Sequence, residues 1–367
     1  MKKILFISNE ASYTGAPIFL IKLVRHLKEN ANYKLSIFFA KSGGLSQSLE
    51  DLDVNVFVSQ KSSIRSNRFG KLFLRVFHYI RYIRILLISR PDLVYSNTII
   101  NAGEVVIAGL LRIPVILHVH EGQNVASLYR FRLVVSCYFA SRIIVGSNYV
   151  GRILYSLTKR HGDVIYIGVK STNIPVVWVP HIDGPFLIGM IGTINPNKGQ
   201  HVAIKALRIL LDKGFDVQLI IAGVSGDNAY LEEIVSLVNA LYLERYVIFL
   251  GAVLNAEDFI SSLDILLLPS YDEALPTVVL EAFSMGTIVV ASNVGGIPEI
   301  IDDGVDGFLF VVGDERMLSV KIEEIIKNNK MLNDIANLAG RKLLEKFDIS
   351  ENNKKIEICI GSVLDEY

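Results

Sequence analysis

The sequence predicts an α/β protein of two Rossmann-like domains facing each other across a cleft. Three observations lead there. The chain has 367 residues, and a single core rarely grows past about 250–300 residues. Short apolar runs alternate with longer amphipathic stretches, an order that builds parallel βαβ units. That alternation breaks at a proline-rich stretch and then starts again. The composition agrees: 51% hydrophobic, 20% charged and 10 prolines describe a globular chain, not a disordered or fibrous one.

The first series of apolar runs is KILFIS (3–8), KLSIFFA (34–40), DLVYS (92–96), PVILHVH (114–120) and RIIVGS (142–147). Such runs read as strands buried on both faces of a parallel sheet. Between them lie helical patterns such as IFLIKLVRHLKE (18–29), apolar at every third and fourth position. The opening MKKILFISNE holds only four apolar residues in a row. A secretory signal needs roughly 7–15, so it reads as the first strand. No stretch approaches the ~18 apolar residues of a membrane span. Residues 171–185, STNIPVVWVPHIDGP, have three prolines and no helical period, which marks a linker. A second series follows: FLIGMIG (186–192), VQLIIAG (217–223), YVIFLG (246–251), DILLLPS (264–270) and TIVVAS (287–292). The expected organisation is an N-terminal Rossmann-like domain over 1–170, a linker over 171–185 and a C-terminal Rossmann-like domain over 186–345. A last helical stretch at about 335–360 is polar enough for a surface, and its end (346–367) is placed to cross back to the first domain.

The formal net charge of zero hides an asymmetry. Residues 1–180 carry 23 Lys and Arg against 9 Asp and Glu, and the remainder carries 14 against 28. A basic domain favours anionic partners such as lipid surfaces, nucleic acids or phosphorylated acceptors. No nucleic-acid motif is present, so that class is not expected. Residues 61–90 hold eight basic side chains and no acid. Within 65–90, Phe73, Val76, Phe77, Ile80 and Ile83 recur at helical spacing. One reading is an ordinary domain helix leading into the strand DLVYS. The other is a membrane or acceptor surface carrying Arg65, Arg68, Lys71, Arg75, Arg81 and Arg84. The two cysteines, Cys137 and Cys359, exclude a disulfide scaffold and suggest a reducing compartment. The expected location is the cytoplasm, with association at the inner face of the cell membrane.

In doubly wound sheets ligands bind outside the carboxyl ends of the strands. After the first strand, SNEASYTGAP (8–17) has a single glycine and no G-x-G-x-x-G, which argues against NAD or FAD. Gly15 ahead of a helix still permits close approach of an anion, although a turn glycine explains it as simply. The richest segment is residues 269–300, PSYDEALPTVVLEAFSMGTIVVASNVGGIPEI. Glu273 falls in a loop after a strand, Pro276 suits the first turn of a helix, and Glu281 lies about one and a half turns inside it. A carboxylate accepts several charge-assisted hydrogen bonds and so suits the hydroxyl pairs of sugars and riboses. Either glutamate alone reads equally as a solvated surface charge. His118 and His120 share a strand face, but no third metal ligand stands at a readable spacing. Asp51 and Asp53 read as solvated surface.

These residues resemble the retaining GT-B glycosyltransferases of family four, which include bacterial mannosyl- and glucosyltransferases of cell-surface polysaccharides. The resemblance is strongest over 186–310 and traceable over 1–170. Its signature is two glutamates separated by seven residues, then a small-residue strand and a G-G-x-x-E turn. Here these are Glu273, ALPTVVL, Glu281 and VVASNVGGIPEI. The resemblance implies that Glu273 contacts donor-sugar hydroxyls near the anomeric carbon and that Glu281 holds the ribose. Leu275, Pro276 and Thr277 would present helix N-terminal amides to the sugar or diphosphate. The family's G-R-x-x-x-x-K-G clamp reads GTINPNKG (192–199), so Lys198 is in place and Thr193 replaces the arginine. Ala274 stands where glycine is usual, and a positive φ there would be strained. A family strand ending in His-Asp reads His120-Glu121, which implies that His120 faces the donor sugar, and Gly15 matches a glycine loop near the diphosphate. The implied substrates are a nucleotide-sugar and a saccharide or lipid-linked acceptor, with no cofactor or metal, and with retention of configuration. Two alternatives share the architecture: a nucleotide-sugar epimerase, and a non-catalytic membrane-associated subunit.

Overall fold

The computed structural model describes residues 1–11, 15–45, 49, 52, 54–60, 68–171, 178 and 184–367, with backbone alone at 60 and 68–73. Arg65, Asp51, Asp53 and most of 171–185 lie outside the described residues. The chain forms two compact units, residues 1–167 with 350–367, and residues 168–349.

The N-terminal unit is built on a parallel sheet of β1 (Lys2–Glu10), β2 (Tyr33–Lys41), β3 (Asn55–Gln60), β4 (Leu93–Ser96), β5 (Val115–Val119), β6 (Arg142–Val145) and β7 (Asp163–Val164). Their order is β3-β2-β1-β4-β5-β6-β7. The chain therefore reverses direction across the sheet at β1, whose Phe6 pairs with Ile37 on one side and Tyr95 on the other. The second unit repeats the scheme with β8 (Phe186–Ile191), β9 (Val217–Ala222), β10 (Val247–Gly251), β11 (Ile265–Leu268), β12 (Ile288–Ser292) and β13 (Phe308–Phe310), in the order β10-β9-β8-β11-β12-β13. Central strands are buried along their length, as at Ile265–Leu268 and Ile288–Ser292. That is why they read as continuous apolar runs.

Three strands escaped the sequence reading. β3 is an edge strand, half-buried over most of its length, so its apolar run is only the three residues 56–58. β7 and β13 have two and three residues, too short to show a period. A second difference lies at the C-terminus, where helices Leu332–Lys346 and Ile349–Glu366 replace the single stretch expected at 335–360. The break has a backbone cause. Val169 N–H donates to the Phe347 carbonyl and Ile349 N–H to the Val169 carbonyl, each at 3.1 Å. A side chain on Gly168 would meet the Ile349 Cα at 2.5 Å, so the bridge closes only over a glycine. The last helix then belongs to the N-terminal unit, held by Lys2 Nζ on the Leu364 carbonyl (3.2 Å) and by His26 with Glu357 (3.1 Å).

The helix Arg68–Ser89 agrees with the helical pattern read over 65–90, and the structure shows which face it buries. His78, Tyr82, Ile85 and Leu86 are buried, whereas Val76, Phe77, Ile80 and Ile83 are exposed. The apolar repeat seen in the sequence is therefore a solvent face, and it carries Arg81 and Arg84 with it. Arg68 and Lys71 fall in the first turn of this helix, and Arg75 is exposed one turn on.

Candidate functional site: a loop cluster in the C-terminal unit and a histidine turn in the N-terminal unit

In the C-terminal unit the loop after β8 meets the loop after β11. Tyr271 N–H donates to the Asn197 carbonyl (2.8 Å) and Asn197 Nδ2 donates to the Asp272 carbonyl (2.9 Å). These bonds carry Lys198 to Glu273, and its Nζ lies 2.5 Å from Glu273 Oε1. The two side chains are 26% and 12% exposed, so the pair is shielded yet open at one side. Gly199 shows why a glycine follows the lysine: its φ is +66°, and a Cβ would lie 2.1 Å from the Pro269 carbonyl. Thr193 rests its methyl against Gly226, and its carbonyl accepts from Gln200 Nε2 at 3.4 Å.

The paired glycines after β12 hold Glu273 from behind. Gly295 has φ +61° and its missing Cβ would sit 2.1 Å from the Glu273 carbonyl. Gly296 N–H donates to that same carbonyl at 2.8 Å. The helix after this loop is Thr277–Met285, with Pro276 as its N-cap rather than in the first turn. Leu275 and Pro276 are buried, Thr277 opens the helix, and Val279, Leu280 and Phe283 face the core. That leaves Glu281 half-buried on the side of the helix away from them. Ala274 is strain-free: among the described residues, positive φ outside glycine occurs only at Arg90, Arg112, Lys159 and Tyr242. Sequence reasoning missed His201. Its Nδ1 lies 2.8 Å from the Tyr230 hydroxyl and its Nε2 3.1 Å from the Tyr271 hydroxyl, and its ring stacks on Tyr271. Burial lowers its pKa, while burial pushes the Tyr230 hydroxyl up to about 12. This cluster braces the loop that carries Glu273.

In the N-terminal unit, Gly15 opens the first helix, Gly15–Asn30, and is exposed with space around its Cα. Asn97, beyond β4, was missed by the sequence reading although it follows a strand's carboxyl end. Its Nδ2 donates to the Ala16 carbonyl (2.7 Å), which leaves Oδ1 to accept from His120 Nε2 (2.9 Å). This fixes the proton of the neutral ring on Nε2. The Nδ1 lone pair is buried without a partner among the described residues and lies beside Gly146. Neither nitrogen of His120 is thus open in this structure. His118 stacks on it with ring centroids 3.9 Å apart, and its Nδ1 meets the Tyr95 hydroxyl at 2.6 Å. Glu121 caps the turn Ile99–Asn101: it accepts from Thr98 Oγ1, from Ile99 N–H (3.0 Å) and from His120 N–H (3.0 Å). Burial raises its pKa, against the pull of those donors.

Burial lowers the His120 pKa from 6.5 to about 3, and burial also holds His118 well below its usual value. As pH falls below 6.5, the unfolded chain binds the proton and the folded chain does not. Stability contributed above pH 6.5 is therefore lost progressively down to about pH 3. Between pH 7 and pH 5 the His120 share of that loss is about 2 kcal/mol. Urea unfolding of wild type and His120→Gln at both pH values checks it: the variant should lose correspondingly less, and an identical loss contradicts the assignment.

Comparison with known proteins agrees with the two-domain fold. A family model described as glycosyl transferases group 1 matches residues 179–342, and one described as Glycosyltransferase Family 4 matches residues 13–173. The capsular polysaccharide biosynthesis glycosyltransferase CapM of Staphylococcus aureus is 28% identical over 184 residues, 49% of this chain and 47% of that protein. The uncharacterized glycosyltransferase MJ1178 of Methanocaldococcus jannaschii is 26% identical over 345 residues, 85% of this chain and 92% of that protein. The alignment with CapM thus spans about half of that relative's length. The structure of Anabaena Alr3699/HepE in complex with UDP superposes with a TM-score of 0.82 at 25% identity, over 99% of this chain and 100% of that one. Each half of the chain thus matches a glycosyltransferase family model, and its two-domain fold is that of the GT-B glycosyltransferases.

Proposed function

We propose that this protein moves a sugar from a uridine-diphosphate donor to a saccharide or lipid-linked acceptor, with retention of configuration, in the synthesis of a cell-surface polysaccharide. The observation that carries this reading is the convergence of Lys198, Glu273 and the helix bearing Glu281 in one loop cluster. The UDP bound in the Anabaena protein supports the nucleotide, and the name of CapM supports the product class. Lys198 and the amide end of the helix Thr277–Met285 (entered through Leu275 and Pro276) would meet the diphosphate, with Thr193 and Gly15 near it. Glu281 would hold the ribose diol and Glu273 the sugar hydroxyls. His120 would exchange Asn97 for a donor hydroxyl and orient the ring. The anomeric C–O bond to the phosphate breaks as the acceptor oxygen bonds on the same face, and the acceptor proton passes to the departing diphosphate. Positioning and stabilisation of that diphosphate supply most of the rate gain.

The direct test is a titration of UDP-sugars into wild type and Glu281→Ala, followed by product analysis with a lipid-linked acceptor. Each charged hydrogen bond lost should weaken donor binding by about 1.5–3 kcal/mol. Unchanged donor affinity would end the ribose assignment. A donor whose sugar is altered while still attached to the diphosphate, with no acceptor needed, would favour an epimerase.

No helix among the described residues is long and apolar enough to cross a membrane. A surface association is instead proposed for the helix Arg68–Ser89. Exposed Phe77, Ile80 and Leu87 there alternate with exposed Arg75, Arg81 and Arg84, and Arg65, Arg68 and Lys71 extend the basic run toward its start. Each basic side chain near an anionic leaflet contributes about 1 kcal/mol. Binding to phosphatidylglycerol vesicles is expected in low salt, with release as salt rises. Flotation that is absent, or indifferent to salt, would count against this surface.

A further inference from the structure

The N-terminal unit contains a cavity of about 810 Å³ that none of the donor residues line. It opens beside the carboxyl ends of β1 and β2, between the helices Arg68–Ser89, Ala102–Leu110 and Arg130–Phe139. Its lining is cationic: Lys41, Arg75 and Arg132 all face it. No ion pair joins these three to a carboxylate among the described residues. The one acid in the wall, Glu104, is already engaged, with its Oε1 2.6 Å from His78 Nε2, and both side chains are nearly buried.

Two further features point to a ligand. Asn101 is 2% exposed, lines the cavity, and its Nδ2 has no hydrogen-bond partner among the described residues. A buried amide donor left unpaired costs free energy unless something supplies an acceptor. Arg132 is held in place by the Tyr129 ring, 5.0 Å from its guanidinium carbon, and by the Ile100 carbonyl at 3.3 Å. A single carbonyl uses one of its five N–H donors, so the rest of the planar fork stays available for a bidentate anion. The turn Ile99–Asn101 connects this cavity to the histidine site. Asn97 and Thr98, just before the turn, hold His120 and Glu121, and Ile100 and Asn101 face the cavity.

We infer that this cavity is the acceptor pocket and that it selects an acceptor bearing a phosphoryl group, held by Arg75, Arg132 and Asn101. The inference rests on the glycosyltransferase reading for the word acceptor, but its anion selectivity is measurable without transfer. A phosphoryl group fits three separate donors around a cavity better than a carboxylate does, since it offers three acceptor oxygens in a tetrahedral array. Tyr79 and Phe131 in the walls would cover an attached sugar ring.

The test is calorimetric titration of the full chain with glucose 6-phosphate, glucose and glucuronic acid, with UDP saturating so that the donor site is filled. Wild type should bind glucose 6-phosphate at least 10-fold more tightly than glucose or glucuronic acid. Arg132→Gln and Arg75→Gln should each remove about 10-fold of that affinity, and Arg132→Lys should restore part of it. UDP affinity should change less than twofold in every variant, which also reports intact folding. A lipid arm uses phosphatidylcholine vesicles carrying polyprenyl-diphosphate-linked N-acetylglucosamine. Capture by the vesicles, reduced in the same variants, identifies a lipid-linked source, and binding of the soluble sugar phosphate alone identifies a free one. Equal binding of glucose and glucose 6-phosphate, or phosphate binding untouched by both glutamine variants, overturns the pocket. Failure of UDP to bind contradicts the donor reading instead, and phosphate selectivity of the chain without UDP still decides this inference.

Discussion

Lys198→Ala is expected to lower kcat/KM for sugar transfer by about 100- to 1,000-fold, the cost of removing one preorganised charge-stabilising donor from where negative charge develops. The lysine matters more here than in relatives with a second cation. Thr193 stands where the resemblance implies an arginine, and under the proposed reading a neutral hydroxyl there gives roughly half the hydrogen-bond strength of an ionic donor. Loss of Lys198 also leaves Glu273, 12% exposed, without the ammonium 2.5 Å away. Two effects then act together: the departing diphosphate loses its counter-charge, and the carboxylate that should meet the sugar loses its orientation. Steady-state kinetics with a UDP-sugar donor measure the sum. A variant retaining more than a tenth of wild-type kcat/KM would remove the lysine from the clamp.

Lys342→Met is expected to destabilise the folded chain by about 3–5 kcal/mol, the usual result of breaking a buried ion pair from one side. Lys342 Nζ donates to Asp302 Oδ2 (2.8 Å) and Asp306 Oδ2 (2.7 Å), and Asp306 is 4% exposed. Asp306 Oδ1 in turn accepts the Asp302 N–H at 2.7 Å. The network ties the loop leading into β13 to the helix Leu332–Lys346. Methionine keeps the length of the side chain but leaves the buried Asp306 carboxylate unpaired. Urea unfolding at neutral pH is the check. The companion Asp306→Asn should cost less, because it removes the stranded charge, and equal effects of the two variants would contradict the electrostatic cause.

The fold was legible where burial made the sequence monotonous. DILLLPS and TIVVAS are strands because a parallel strand between two helical layers has no polar face to show. β3 and β13 stayed hidden for the opposite reason, one half-exposed at an edge and the other only three residues long. The buried face of the helix Arg68–Ser89 was not legible because both of its sides are apolar, and spacing alone does not say which side meets the sheet. The glutamates 273 and 281 and the lysine 198 were legible as residue types at family spacing. Their arrangement was not: Lys198 and Glu273 are 75 positions apart, and tertiary contacts such as those of Asn197 with Tyr271 and Asp272 bring their loops together. Asn97, which fixes the tautomer of His120, left no signal beyond its place at the end of a strand. The enclosure of both His120 nitrogens likewise depends on long-range packing that no local pattern carries.

The central claim is that Glu281, Glu273 and Lys198 grip an activated sugar in the C-terminal unit. A crystal structure of the protein soaked with a UDP-sugar tests it most directly. The ribose hydroxyls should lie within about 2.7–3.2 Å of the Glu281 carboxylate and the diphosphate within the same reach of Lys198 Nζ. A nucleotide bound elsewhere, or one seated there with the Glu281 carboxylate turned away from the ribose, would contradict the account.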